Sequence, residues 1–326
     1  MATITVSRPT PPRVKSRNSS VNAGATKLAS TLISPTLLVL ALTVGYPIVN
    51  AFRLAFVETT SGTNPQTGLV QNTTKYGFGN FGAILDGSAT TGSVTFLRSL
   101  VNTTTFTVAG VLVETIIGTI MALIMARAFR GRALIRASIL IPWAIPTAIS
   151  ALLWQWIFQA DGAANKLLGT QILWTEDSGW SWLAVMIADT WKTAPFIGLL
   201  VLAGLQVIPT EVYEAAKVDG VSTWNTFVRI TLPLVKPALT VAVLFRLLDV
   251  LRMFDLPYLF GGLGFKNTST VSMLAFQEAV QNNRFGPAAA YSVVLFLYVT
   301  IIAFVFVRVL GADIVGANTG RKKAVA

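Results

Sequence analysis

The 326-residue chain is 53% hydrophobic and only 12% charged, whereas a soluble domain carries roughly a quarter charged residues, so its composition is that of a protein solvated by lipid. It holds neither Cys nor His, which excludes disulfides, thiol nucleophiles, imidazole bases and the usual zinc ligand sets. A net charge of +11 would suit nucleic acid, but a nucleic-acid binder places its Lys and Arg on a folded polar surface, and here they cluster beside apolar runs.

Crossing the hydrocarbon core takes about 20 mostly apolar residues, and six segments qualify, near 31–56, 100–126, 134–158, 183–208, 237–260 and 288–310. The expected fold is therefore all-α, a polytopic membrane domain over 31–312 with terminal tails at 1–30 and 313–326. The N-terminal tail contains "RPTPPRVKSRNSSVNAGATK", a basic, Pro- and Ser-rich stretch expected to be disordered. The first apolar run is too long for a signal-peptide core, and no clear small-residue cleavage site follows it. Of the 25 Lys and Arg, 16 lie in 1–30, 127–136, 209–236 and the end from Arg308, against five in 57–99, 159–182 and 263–287. The positive-inside rule then places both termini and residues 209–236 in the cytoplasm.

After the first span, residues 57–99 are rich in Gly, Thr, Ser and Asn, which predicts an external loop with a short helix around "GNFGAIL". Gly77, Gly79 and Gly82 there have GxGxxG spacing, but the pattern neither follows a buried strand nor opens a βαβ unit, as a dinucleotide site requires. The second span holds one carboxylate, Glu114, which either bonds to a neighbouring helix or meets a passing ligand. The Trp residues of "LIPWAIP" and "LLWQWIF" in the third span read as packing or interface residues. In the fourth, "ADTWKTAPF" puts Asp189, Lys192 and Thr193 within reach of one helical face. Trp191 and Phe196 offer flat surfaces for a sugar ring or for neighbouring side chains, and Pro195 is expected to break the helix locally.

Between the fourth and fifth spans, "EVYEAAKVDGVSTWNTFVRITLPLVKP" carries six charged residues. Thr210 is an N-cap candidate, Glu211 and Glu214 suit the positive end of a helix dipole, and Ala215 and Ala216 leave a smooth face. Gly220 permits the turn that ends the helix, and Pro233 and Pro237 mark re-entry into the membrane. On these features alone, an amphipathic connector on the lipid surface and a docking helix are both open. In the fifth span, Arg246, Asp249, Arg252 and Asp255 recur every three residues with alternating sign, so each could pair with the next along a helix. A charge at the bilayer centre costs at least ~2.5 kcal/mol, so these side chains should face a water-filled path or seal a contact between subunits.

Glu214-Ala215-Ala216, three residues, Gly220, nine residues, then Ile230-x-Leu232-Pro233 resembles the EAA signature of permease subunits in bacterial ATP-binding-cassette importers. "YEAAKVDGVSTWNTFVRITLPLVKPAL" is similar to the carbohydrate-uptake branch that includes maltose and glycerol-phosphate permeases, and "WKTAPF" and "LFRLLDVLRMFD" resemble trehalose-importing permeases of mycobacteria. "FGGLGF" stands where that family often has a Thr-Gly-Gly run.

The resemblance implies a type I importer permease fold in a bacterial plasma membrane. It implies a coupling helix at about 210–222 that seats in a separate ATPase through Glu214, Ala215, Ala216, Gly220, Ile230, Leu232 and Pro233. It also implies sugar contacts within Asp189 to Phe196 and Arg246 to Met253, giving a candidate pathway of Asp189, Trp191, Lys192, Thr193, Phe196, Arg246, Asp249, Arg252, Met253 and Asp255. The implied partners are a second homologous permease, two ATPase subunits that hold the ATP and Mg, an extracytoplasmic sugar-binding protein, free or lipid-anchored, and membrane lipid. No cofactor is expected in this chain. Glycerol phosphodiesters and amino sugars are alternative cargoes. Two other classes stay open: a secondary transporter, although no inverted repeat is visible, and a membrane-embedded transferase using Asp249 and Asp255 as acid and base.

Overall fold

The computed structural model describes residues 18–63, 70–176 and 178–310. Of the candidate tails, residues 1–17 and 313–326 lie outside the described residues, whereas 18–30, expected to be disordered, are helical.

Two units divide the chain, Met1–Asn50 and Ala51–Ala326. The first contains α1 (Asn18–Leu40) and a π turn, Ala41–Gly45, that leads into α2 (Tyr46–Ala55). Helix thus begins at Asn18, well before the expected start of the span near residue 31. The apolar stretch Ala25–Ala55 is long enough to cross a membrane. In this run Leu, Ile, Val and Ala leave the backbone only its own N–H and C=O groups as partners, and in lipid that selects helix.

After the last residues of α2, the second unit continues with a hairpin, β1 (Val57–Thr63) and β2 (Val70–Tyr76), paired antiparallel from Val57↔Tyr76 to Thr63↔Val70. Helix α3 (Gly79–Leu85) and the two-residue strands β3 (Thr90–Thr91) and β4 (Val94–Thr95) follow. The expected short helix is present. The expected loop around it is partly sheet, because its β-branched Thr and Val residues suit extended backbone. Gly77 and Gly79 lie against the Glu58 carboxylate, where a Cβ would come within 2.3 and 2.7 Å of its oxygen. The Gly79 N–H and then the Lys75 ammonium, 3.3 Å away, hold that carboxylate below its ordinary range. Gly77 and Gly79 therefore serve close packing on an acidic side chain, whereas a Cβ on Gly82 would meet open space.

Thr95 accepts from the Arg98 N–H and starts α4 (Phe96–Ala126), the second long span. Its last turn is closed by Arg136, which donates to the Met125 carbonyl at 2.9 Å through Nε. Gly131, at φ +87°, then turns the chain into α5 (Arg132–Ala144). The third span, expected to run through 134–158, is a broken pair: α5 and α6 (Thr147–Ile157) meet at 97°. Pro146 is the cause, since it forces Ile145 into extended geometry and removes a helical donor. A short α7 (Ala163–Leu168) precedes α8 (Gly179–Gln206). Pro195 does not break α8, which runs through it without interruption.

Beyond α8 come α9 (Thr210–Val218), α10 (Thr223–Thr226) and a π turn, Phe227–Thr231, which continues into α11 (Leu232–Val250). The fifth apolar span is Thr223–Val250, so helix starts earlier than 237 and stops ten residues before the expected 260. Helices α12 (Asp255–Gly261), α13 (Val271–Phe276) and α14 (Phe285–Leu310) complete the chain. Among the described residues, five helices are long and apolar enough to span, and the bent α5–α6 pair makes six.

Small residues bring the central helices together, as lipid-solvated bundles require. A Cβ on Gly118 of α4 would sit 2.8 Å from the Ala194 carbonyl of α8. One on Gly204 of α8 would lie 2.5 Å from the Ala238 Cβ and 2.9 Å from Val235 on α11. Gly204→Leu is expected to cost about 1–3 kcal/mol by overpacking and to lower the thermal midpoint in detergent by several degrees. Gly179→Ala, in open space on the same helix, should leave the midpoint in place.

Candidate functional site

Arg246, nearly four turns into α11, is 3% exposed. In hydrocarbon a buried guanidinium must be paired, and three helices supply partners. Its Nη2 donates to Glu114 Oε1 of α4 at 2.9 Å, and its Nε donates to the other Glu114 oxygen. Nη2 also donates to Asp189 of α8, while Nη1 donates to Asp249 Oδ2, one turn further along α11, at 2.5 Å. Glu114 is fully buried and Asp189 nearly so, but the Asp249 side chain is 61% exposed. Arg246 therefore locks α4, α8 and α11 of this one chain together, and the bond that reaches open space is the one to Asp249. Of the two openings at Glu114, the structure takes the bond to a neighbouring helix.

Beside this hub is a cavity of about 500 Å³. It gathers Asp189, Lys192, Thr193, Arg246, Asp249, Arg252, Met253 and Asp255, eight of the ten residues expected along a substrate path. The other two are absent from its lining. Trp191 packs edge-on against Trp154 at 5.7 Å, and Phe196 stacks on Trp143 at 5.8 Å. Thr147, Phe254 and Leu256 line the cavity without having been anticipated. Thr147 follows the Pro146 break and opens α6, so the helix-start signal after that proline was the available clue.

The alternating Arg/Asp series does not continue along one helix. α11 ends at Val250, the chain turns through Leu251–Phe254, and α12 starts anew at Asp255. Pro257, which lacks an N–H, is tolerated in a helix's first turn, so α12 has to begin just before it. Arg246 and Asp249 pair as the spacing suggests, whereas Arg252 and Asp255 reach the cavity from outside α11. Carboxylates in this lining accept hydroxyl protons and the Lys192 and Arg252 cations donate, which suits a polyhydroxylated solute. The Thr193 hydroxyl donates to the Asp189 carbonyl at 2.6 Å and can offer a ligand only acceptor capacity.

The second element of interest is α9. Its N-cap is Pro209, not Thr210, which is the first helical residue and makes no capping bond through its side chain. Its end is a Schellman motif: Gly220, at φ +68°, donates to the Lys217 carbonyl at 3.1 Å, and Val221 donates to Ala216 at 3.0 Å. Glu211, Glu214, Ala215 and Val218 are exposed, whereas Ala216 is buried against the chain's own core. The smooth outward face therefore belongs to Ala215 alone. Ile230 lies in the π turn and Leu232 opens α11, both half-buried, while Pro233 is exposed.

This chain belongs to the family of binding-protein-dependent transport system inner membrane components, whose profile matches residues 114–315. It is thus a multi-pass component of an inner-membrane transport system and not an enzyme. Among its relatives, a trehalose transport system permease protein of Mycobacterium tuberculosis is 34% identical over 90% of this chain and 91% of its own length. A trehalose/maltose transport system permease protein of Thermococcus litoralis is 41% identical over 66% of this chain and 74% of its own. In fold, the chain matches a solved bacterial ABC transporter that imports the acidic polysaccharide alginate, with a TM-score of 0.75 and 20% identity across 90% of this chain and 98% of that one.

Proposed function

We propose that this chain is one of two permease subunits of an ATP-binding-cassette sugar importer and carries an uncharged disaccharide of the trehalose or maltose type. The observation that carries the reading is the cavity beside Arg246, in which hydrogen-bonding charges of both signs converge at the meeting of three spans. Its cationic capacity is largely spent inside the chain. Arg246 is held by Glu114, Asp189 and Asp249, and across the lining the cations Lys192, Arg246 and Arg252 are matched in number by the carboxylates Asp189, Asp249 and Asp255. An anionic cargo such as a glycerol phosphodiester finds no surplus positive charge there, while sugar hydroxyls find donors and acceptors. The names of the trehalose and trehalose/maltose relatives support the same class.

An extracytoplasmic binding protein would deliver the sugar to a path formed with a second permease. Two cytoplasmic ATPase subunits, holding ATP and Mg, would drive that path between its outward and inward states through Glu214 to Gly220 of α9. Both termini and α9 face the cytoplasm in this reading, as the Lys and Arg distribution favours.

The test is uptake of labelled trehalose, maltose and glycerol phosphocholine by cells lacking the gene and by cells with it restored. Loss of one disaccharide, recovered on restoration, with phosphodiester entry unchanged is the expected result. Normal entry of both disaccharides without the gene would remove the assignment.

A further inference from the structure

A second, larger cavity of about 1610 Å³ lies at the other end of the central helices, between α4, the start of α5, α9 and α11. That is larger than the roughly 300–1,000 Å³ of a small-molecule pocket. Four cations line it, Arg127, Arg132, Arg136 and Lys217, and no carboxylate does. Arg136 is committed to the Met125 carbonyl, but Arg127, Arg132 and Lys217 form no ion pair among the described residues. Along α4 away from Arg127 the lining is mostly apolar, with Ile116, Ile120 and Leu123 interrupted by Thr115 and Thr119, and Leu239 of α11 adds to it. Tyr213 and Trp224 also line it, the aromatic type that settles at headgroup depth.

We propose that this groove binds an anionic phospholipid, its phosphoryl headgroup on Arg127, Arg132 and Lys217 and its acyl chains along Ile116, Ile120 and Leu239. Charge complementarity selects the occupant: a zwitterionic lipid would bring its own cation against these three, and free phosphate would leave the apolar wall wet. Lys217 and Tyr213 belong to α9, whereas Arg127 and Arg132 flank the α4–α5 turn. The lipid thereby ties the helix proposed to receive the ATPase stroke to the second span. The inference concerns this groove and does not depend on which sugar is carried.

The test is binding of labelled phosphatidylglycerol to the assembled complex in detergent, with phosphatidylcholine and inorganic phosphate as competitors. Each basic residue near a membrane surface is worth a factor of about five, so the double variant Arg127→Gln/Arg132→Gln should bind about thirtyfold more weakly. Arg127→Lys/Arg132→Lys should retain affinity, and neither competitor should displace the lipid. Equal binding by the Gln variant, or displacement by phosphatidylcholine or by phosphate, would overturn the proposal. Should the Gln variant fail to assemble, a photoactivatable phosphatidylglycerol on the unmodified complex decides. Crosslinks to the Ile116–Leu123 stretch support the site, and their absence, as a partner subunit filling the groove would produce, rejects it.

Discussion

Arg246→Met is expected to destabilise the protein by about 3–5 kcal/mol, the range for stripping a buried charge of its partner. Methionine keeps an unbranched apolar stem but no guanidinium, so the main loss is electrostatic: Glu114 and Asp189 would stay buried with nothing to neutralise them. The protein should fail to accumulate in the membrane, or should melt far below the unmodified chain in detergent. Asp249→Asn makes the contrast. Its side chain is 61% exposed, and Arg246 keeps both buried partners without its charge. An exposed ion pair contributes about 0–1 kcal/mol, so this variant should fold and reach the membrane but lose sugar uptake. If Asp249→Asn instead lowered stability as much as Arg246→Met while sparing uptake, the cavity would be a structural seam and not a path.

Glu214→Lys should leave the protein in the membrane at normal amounts and reduce uptake at least thirtyfold. Glu214 is exposed and its side chain makes no hydrogen bond or ion pair with the described residues, so the folded chain has little to lose. Surface substitutions of this kind stay within about 0.5 kcal/mol. Reversing a charge inside a docked interface, in contrast, costs about 2–5 kcal/mol. The two numbers separate a docking helix from a connector lying on lipid. Near-normal uptake by the variant would favour the connector.

The apolar runs made the spans legible, because twenty residues without polar interruption have one stable form in lipid. What periodicity missed were the breaks. Pro146 splits the third span and Pro257 restarts the chain after the fifth, and both prolines were visible. Pro195, read as a break, is carried inside α8, where it is buried. The charges of the site could be named from their cost in a membrane, which marks each of them as needing a partner. Their pairing could not be read, since Glu114 and Arg246 stand 132 positions apart and nothing local relates them. The aromatic residues were the least legible: Trp191 and Phe196 look alike as sugar platforms and as packing, and only the positions of Trp154 and Trp143 distinguish the two.

The measurement to make is uptake of labelled disaccharide into proteoliposomes carrying the complete importer, with ATP and without it, for the unmodified chain and for Glu214→Lys. Accumulation that requires both ATP and the unmodified chain is the expected result. Equal accumulation without ATP, or with the variant, would contradict an ATP-driven path worked through α9.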